Sequence, residues 1–147
     1  MSLDLKSFIS NYPDFPIPGV LFRDISPLLY DVSARNQIIE SFRNFITENH
    51  ITTLAGIDAR GFLLASMLAE CYQLPLIMIR KKGKLPDEAT MQASYDLEYG
   101  HATLTIRKDI LKPTDKVLII DDVLATGGTM AASINLIQQC GVTEIAL

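Results

Sequence analysis

Nothing in this sequence approaches the ~20 consecutive apolar residues of a membrane-spanning helix. The N-terminus, Met1-Ser2-Leu3-Asp4-Leu5-Lys6, lacks the basic segment and apolar block of a secretory signal. A membrane or secreted protein is therefore not expected, and the cytoplasm is the expected compartment. Cysteine is scarce: Cys71 and Cys140 fall in apolar, helix-like segments without metal-ligand spacing. They read as buried free thiols suited to a reducing compartment, not as a disulfide frame or a metal site. His50 and His101 are isolated, and no role follows for either. Positive charge is in deficit, with 13 Lys and Arg against 17 Asp and Glu and a net charge of −4, which argues against a nucleic-acid binder. There is no internal repeat and no low-complexity linker. Neither a Gly-Lys-Ser/Thr phosphate loop nor a Gly-x-Gly-x-x-Gly dinucleotide fingerprint occurs.

What is present suits one globular domain. A chain of 147 residues, 48% of them apolar, can bury roughly 70% of the surface its unfolded form exposes. The stretch Val117 to Thr129 organises it. Val117-Leu118-Ile119-Ile120 is a continuous apolar run, as a buried parallel strand requires. Asp121 and Asp122 follow, then the small-residue loop Ala125-Thr126-Gly127-Gly128-Thr129, then an apolar-periodic helix. Closely spaced N–H groups at a helix N-terminus form a site for phosphate. The two carboxylates cannot bind phosphate, but they accept charge-assisted hydrogen bonds from hydroxyls. A ligand with a phosphate and vicinal hydroxyls, such as a ribose 5-phosphate, satisfies both halves.

The rest of the chain frames that run. Leu3 to Asn11 reads as a short helix. Pro13-Asp14-Phe15-Pro16-Ile17-Pro18-Gly19 excludes helix and central strand alike, and reads as an ordered loop anchored by Phe15, Ile17 and Phe22. Asp31 or Ser33 can cap a helix running to about Asn49, whose Ile38, Ile39, Phe42, Phe45 and Ile46 share one face. A β-loop-α-β unit follows: strand Thr53–Ile57, turn Asp58-Ala59-Arg60-Gly61, helix Phe62–Tyr72 and strand Leu76–Arg80. Lys81 to Ser94 is polar and reads as mobile. Tyr95–Tyr99 and Ala102–Arg107 should pair as a hairpin around Gly100. Lys112-Pro113-Thr114-Asp115 is a turn. A second unit has strand Lys116–Ile120, helix Thr129–Cys140 ended by Gly141, and strand Glu144–Leu147. Right-handed crossovers then give an α/β fold, a mainly parallel sheet with helices on both faces. Both candidate loops, Asp58–Gly61 and Asp122–Thr129, open on one edge of it. Arg80-Lys81-Lys82-Gly83-Lys84 sits at that edge too, where α/β sheets bind ligands, and suits a small polyanion better than DNA.

Four blocks carry a resemblance: Asp14-Phe15-Pro16-x-Pro18-Gly19-Val20 with Phe22-Arg23-Asp24-Ile25-Ser26-Pro27, then Arg80-Lys81-x-Gly83-Lys84-Leu85-Pro86, then Ala93-Ser94-Tyr95-x-Leu97-Glu98-Tyr99-Gly100, and the Asp121–Thr129 run. Together they resemble the type I phosphoribosyltransferases, and among them the adenine-specific enzymes. The resemblance implies conversion of adenine and phosphoribosyl pyrophosphate (PRPP) to AMP and pyrophosphate in purine salvage, with Mg2+ and in a homodimer. It implies a single domain over 1–147, with a hood or adenine-recognition segment at about 1–25 and a flexible catalytic lid at 81–100. Ala125, Thr126, Gly127, Gly128 and Thr129 would hold the 5′-phosphate, and Asp121 and Asp122 the ribose hydroxyls. Asp58, Ala59 and Arg60 would take pyrophosphate, aided by Lys84 and by Arg80, which reaches a partner's site in related enzymes. The Asp58–Ala59 peptide would be cis. Mg2+ would ride on PRPP with few direct protein ligands. Glu98 matches the catalytic acid of the family, and Leu21, Phe22 and Arg23 would select adenine. A core role for Phe22 and an exposed hairpin position for Glu98 are the competing readings of those residues. Similar enzymes continue through further strand and helix, so part of the family fold is expected beyond Leu147. The alternatives are a PRPP-sensing regulator without catalysis, or an inactive truncated form of the same fold.

Overall fold

A computed structural model describes residues 3–96 and 101–147 of the chain. The backbone divides into two compact units, Met1–Ile46 and Thr47–Leu147.

In the first unit, Leu5–Phe8 forms a 3-10 turn and Ser10–Tyr12 a short strand (β1), where the sequence suggests helix through Asn11. The turn ends because Asp4 caps the Lys6 N–H and the Ile9 N–H closes onto Lys6 O, and β1 then pairs antiparallel with β2 (Phe22–Asp24). That pairing outweighs local helix propensity. The proline-rich loop between them is ordered, as expected. Asp14 Oδ1 accepts from Gly19 N–H at 2.8 Å, and Phe15 meets Phe22 edge to face with centroids 5.2 Å apart. Ile17, however, is exposed and anchors nothing. Ser26–Tyr30 forms an unanticipated short helix (α1), with Pro27 placed in its first turn, where proline lacks no needed donor. α2 (Val32–Glu48) is capped by Asp31, whose Oδ1 accepts from Ala34 N–H at 2.8 Å.

The second unit holds a six-stranded sheet. Its strands are β3 (Thr53–Ile57), β4 (Leu76–Lys81), β5 (Thr90–Asp96), β6 (His101–Arg107), β7 (Lys116–Ile120) and β8 (Glu144–Ala146), in the order β5-β6-β4-β3-β7-β8. β4, β3, β7 and β8 run parallel, and β6 and β5 extend the sheet antiparallel. Two helices, α3 (Arg60–Tyr72) and α4 (Gly128–Gln139), cover opposite faces. The period-2 alternation of strands assigns the faces. Gly56 and Ile120 turn toward α3, which contributes Gly61 and Ala65. Ala55, Ile57, Val117 and Ile119 join the core with Ala132, Leu136 and Ile137 of α4. β3 and β7, neighbours inside the sheet, are buried along nearly their whole length, which is why they read as largely apolar runs.

Two expectations need correction here. Thr90–Ser94 is not mobile loop: it is strand, paired residue by residue with β6 from Thr90↔Arg107 to Asp96↔His101. The polar residues that suggested a loop alternate with Met91, Ala93 and Tyr95, which face α4 and the core. Cys71 is exposed, not buried, because it falls outside the Gly61-Ala65-Leu68-Ala69 stripe by which α3 packs.

Candidate active site

The site begins with sheet register. β3 and β7 are parallel neighbours with Gly56 opposite Ile120, so the segments that follow them leave the same sheet edge at the same height. Gly61, in the first turn of α3, lets them touch. A Cβ there would lie 2.7 Å from the Ile120 carbonyl oxygen, 3.2 Å from Asp121 Oδ1 and 3.3 Å from Asp121 Cα. Arg60 then reaches across, with Nε 2.9 Å from Asp122 Oδ2. The Asp122 side chain is only 6% exposed and that oxygen has no aligned hydrogen-bond donor, so the pairing with Arg60 is ionic in character.

Asp121 Oδ1 accepts from the Asp122 N–H at 2.9 Å. Burial pushes the Asp121 carboxyl up to about 6 from an ordinary 3.8, and the neighbouring Asp122 carboxylate pushes the same way. The Asp122 N–H and the Arg60 charge oppose the rise. The two acids form one electrostatic unit, with Asp122 beside Arg60 and an Asp121 whose proton is gained or lost near pH 6.

Beyond them, Val123 to Gly127 curves around a hollow of about 180 Å³ lined by Asp121, Leu124, Ala125, Thr126, Gly127 and Thr129 among others. Gly127 holds φ +85°, a left-handed conformation that a side chain would strain, and directly precedes α4. Among the described residues no side chain caps this 12-residue helix, apart from a 3.4 Å approach of the Gly128 N–H to Thr126 Oγ1. The first-turn N–H groups of α4 therefore face the hollow as donors for an anion. Thr129 Oγ1 donates to the Tyr95 hydroxyl of β5 at 3.2 Å.

The other proposed residues divide into four groups. The Asp58–Ala59 peptide is cis. The Asp58 carboxylate points to β4: Oδ2 accepts from Lys81 N–H at 3.4 Å and lies 3.6 Å from Arg80 Nε. Asp58 thus holds Arg80, whose guanidinium also sits 5.8 Å over the Phe62 ring, and an anion would meet the turn through Arg60 and backbone N–H groups. Lys84 is exposed in the turn after β4 and makes no hydrogen bond or ion pair with either loop among the described residues. Leu21, Phe22 and Arg23 belong to the first unit, with Phe22 and Arg23 in β2 rather than in a loop. Glu98 lies outside the described residues. Two residues gain importance that the sequence did not suggest. Gly61 is one, since close backbone approach leaves no sequence signal beyond glycine itself. Tyr95 is the other, and placing the start of β5 at Thr90 would have put Tyr95 on the same face as Met91 and Ala93.

Comparison with known proteins agrees with this geometry. Residues 29–147 match the phosphoribosyl transferase domain family. The adenine phosphoribosyltransferase of Nitrosopumilus maritimus is 47% identical over 139 residues, covering 95% of this chain and 81% of that protein. The crystal structure of the Giardia lamblia enzyme with 9-deazaadenine superposes with a TM-score of 0.90 at 36% identity, covering 97% of this chain and 80% of that one. The Saccharomyces cerevisiae adenine phosphoribosyltransferase, crystallised with an imino-altritol bisphosphate and adenine, gives a TM-score of 0.89 at 32% identity over 98% of this chain and 87% of its own. Strand register, acidic pair, anion hollow and likeness over nearly the full length agree, and the chain belongs to the adenine phosphoribosyltransferases of the type I phosphoribosyltransferase family.

Proposed function

We propose that this chain transfers the phosphoribosyl group of PRPP to adenine, forming AMP and pyrophosphate in purine salvage. The observation that carries the proposal is the meeting of two chemically opposite loops, with Arg60 Nε 2.9 Å from Asp122 Oδ2 beside an uncapped helix N-terminus. PRPP has an anion at each end and hydroxyls between. The Ala125–Thr129 cradle takes its 5′-phosphate, Asp121 and Asp122 accept from the 2′- and 3′-hydroxyls, and Arg60 with the Asp58–Ala59 turn takes pyrophosphate. Lys84 and Arg80 add positive charge. Loss of pyrophosphate from C1′ builds positive charge on the sugar, as in glycoside cleavage, and the adjacent carboxylates stabilise it. Glu98 manages the adenine imidazole proton as general acid or base. Leu21, Phe22 and Arg23 recognise the purine.

Magnesium, carried by PRPP, supplies charge neutralisation on the pyrophosphate. Asp121 offers a hard carboxylate oxygen near such an ion, while Asp122 Oδ2 is engaged by Arg60, so most of the ion's ligands come from PRPP and water. The functional assembly is a homodimer, supported by Met78, 45% exposed although β4 lies inside the sheet, and by Leu63 of α3, 50% exposed. Free thiols at Cys71 and Cys140 support a cytoplasmic setting. No helix among the described residues is long and apolar enough to cross a membrane.

The test is a coupled assay of pyrophosphate release with adenine, hypoxanthine and orotate in turn, with and without Mg2+. Turnover with adenine alone, and only with the metal, is expected. Turnover with another base reassigns the substrate, and PRPP binding without turnover of any base overturns catalysis.

A further inference from the structure

Tyr95 belongs to the hairpin, not to either substrate loop, yet two observations tie it to the phosphate cradle. Its hydroxyl receives the Thr129 hydroxyl at 3.2 Å. Its ring lies against the cradle backbone, since a Cβ on Gly128 would come within 3.2 Å of Tyr95 Cδ2. The tyrosine therefore packs on the first turn of α4 and ends on the one side-chain hydroxyl of that turn. We propose that Tyr95 is a positioning residue for the 5′-phosphate, acting through Thr129. The inference rests on the reading that the cradle takes the phosphate of PRPP.

The chemistry follows from hydroxyl geometry. A threonine hydroxyl has one hydrogen and two lone pairs, and that hydrogen rotates to suit its surroundings. In this structure Thr129 donates to Tyr95. A phosphate oxygen has no hydrogen to give, so Thr129 must turn its hydrogen to the phosphate. Its oxygen then needs a donor, and Tyr95 supplies one by reversing its role. The result is a relay, Tyr95 O–H to Thr129 Oγ and Thr129 O–H to phosphate, in which each bond polarises the next. The present 3.2 Å is long for an O–H···O contact, usually about 2.7–2.8 Å, so the pair can tighten when the phosphate draws on it. The Ser94 hydroxyl faces the opposite side of β5, where it pairs with Thr103 Oγ1 at 2.9 Å, and it takes no part.

Tyr95→Phe removes only the phenolic oxygen and keeps the ring that packs on Gly128. A neutral hydrogen bond of ordinary net strength corresponds to about a 3- to 10-fold effect. Calorimetric titration with ribose 5-phosphate should therefore show Kd raised about 3- to 10-fold. KM for PRPP should rise by the same factor, with KM for adenine, pyrophosphate inhibition and kcat unchanged within about twofold. Thr129→Val should weaken ribose 5-phosphate binding, and adding Tyr95→Phe to it should cost nothing further. Ser94→Ala, which loses a hairpin hydrogen bond of similar kind, should leave the ribose 5-phosphate Kd unchanged. An unaltered Kd in Tyr95→Phe overturns the proposal, as does a factor that multiplies independently with Thr129→Val or appears equally in Ser94→Ala. Wild-type protein that binds no ribose 5-phosphate overturns the cradle and this proposal together. Wild-type protein that binds it while Tyr95→Phe binds equally well overturns this proposal alone.

Discussion

Replacing Gly61 by alanine places a methyl group 2.7 Å from the Ile120 carbonyl oxygen, where no flexible side chain can yield. Restoring an ordinary 3.4 Å contact requires the first turn of α3 and the end of β7 to separate by about 0.7 Å. Two effects on stability oppose each other. Overpacking of this kind costs about 1–3 kcal/mol. Alanine in a helix gains up to about 1 kcal/mol over glycine, leaving a net loss of about 0–2 kcal/mol. For a chain of this size that lowers Tm by up to about 8 °C. The functional effect should be larger. The displaced segment carries Arg60, and the opposing one carries Asp121 and Asp122, so the strain opens the distance between the groups proposed to hold PRPP. A misplacement approaching 1 Å costs up to about 100-fold, so kcat/KM for PRPP should fall about 10- to 100-fold. The assay is steady-state AMP formation with PRPP varied, alongside thermal unfolding and inhibition by pyrophosphate. A well-folded Gly61→Ala protein with kcat/KM and pyrophosphate inhibition like wild type would refute the argument that loop contact sets the site.

Three further outcomes are expected. Asp122→Asn keeps the shape but removes the charge facing Arg60 and, on the proposed function, the ribose, and bonds to charged groups of this kind are worth about 1.5–3 kcal/mol. Ribose 5-phosphate should then bind about 10- to 150-fold more weakly by calorimetry, and an unchanged Kd would remove Asp122 from the site. Asp121, held up to about 6 from 3.8, binds its proton more tightly in the folded chain than in the unfolded one. Its stabilising contribution is complete below the unfolded value and is lost as pH rises through about 6. The difference in Tm between wild type and Asp121→Asn should therefore drift against wild type between about pH 4 and about pH 7, and a constant difference would contradict the burial argument. On the proposed homodimer, wild type should sediment as a dimer, and the double variant Leu63→Glu/Met78→Glu, which places charge on exposed apolar positions of α3 and β4, as a monomer. Equal masses would move the interface elsewhere.

Much of the second unit was legible in the sequence because its physics is local. β3 and β7 are unbroken apolar runs ending in acids, and their observed bounds, Thr53–Ile57 and Lys116–Ile120, are those read from the sequence. The α3 and α4 bounds differ from the sequence reading by one or two residues at the ends. What was not legible depends on partners distant in sequence. β1 is a strand because β2 pairs with it, across a proline-rich loop that hides the pairing. Thr90–Ser94 is strand because β6 lies alongside, although Gln92 and Ser94 look like loop residues. Within the site, the acidic pair and the glycine loop could be named from residue types alone. The direction of the Asp58 carboxylate toward Arg80, the reach of Arg60 to Asp122 and the Tyr95–Thr129 contact could not, because they depend on register between separate strands.

That register also bears on why the arginines are held as they are. Three adjacent parallel strands, β4, β3 and β7, end at one edge, and crossed pairs lace their ends: Arg80 near the end of β4 to Asp58 after β3, and Arg60 at the start of α3 to Asp122 after β7. The aspartates are the buried members, 11% and 6% exposed, and the arginines the wetter ones, 28% and 36% exposed. Ion pairs with a partly solvated member contribute little to stability, and neither Arg80 Nε nor Asp122 Oδ2 has an aligned hydrogen bond to lose. These pairs hold direction more than free energy. A pyrophosphate arriving at the edge carries more negative charge than either single carboxylate and offers an arginine two-pronged contacts. In the proposed function it would draw on Arg60 and leave Asp122 to the ribose hydroxyls. On the proposed function the arrangement separates two tasks that a lone cluster would confuse: the buried carboxylates would read hydroxyls, while the more exposed arginines would remain available to the anion.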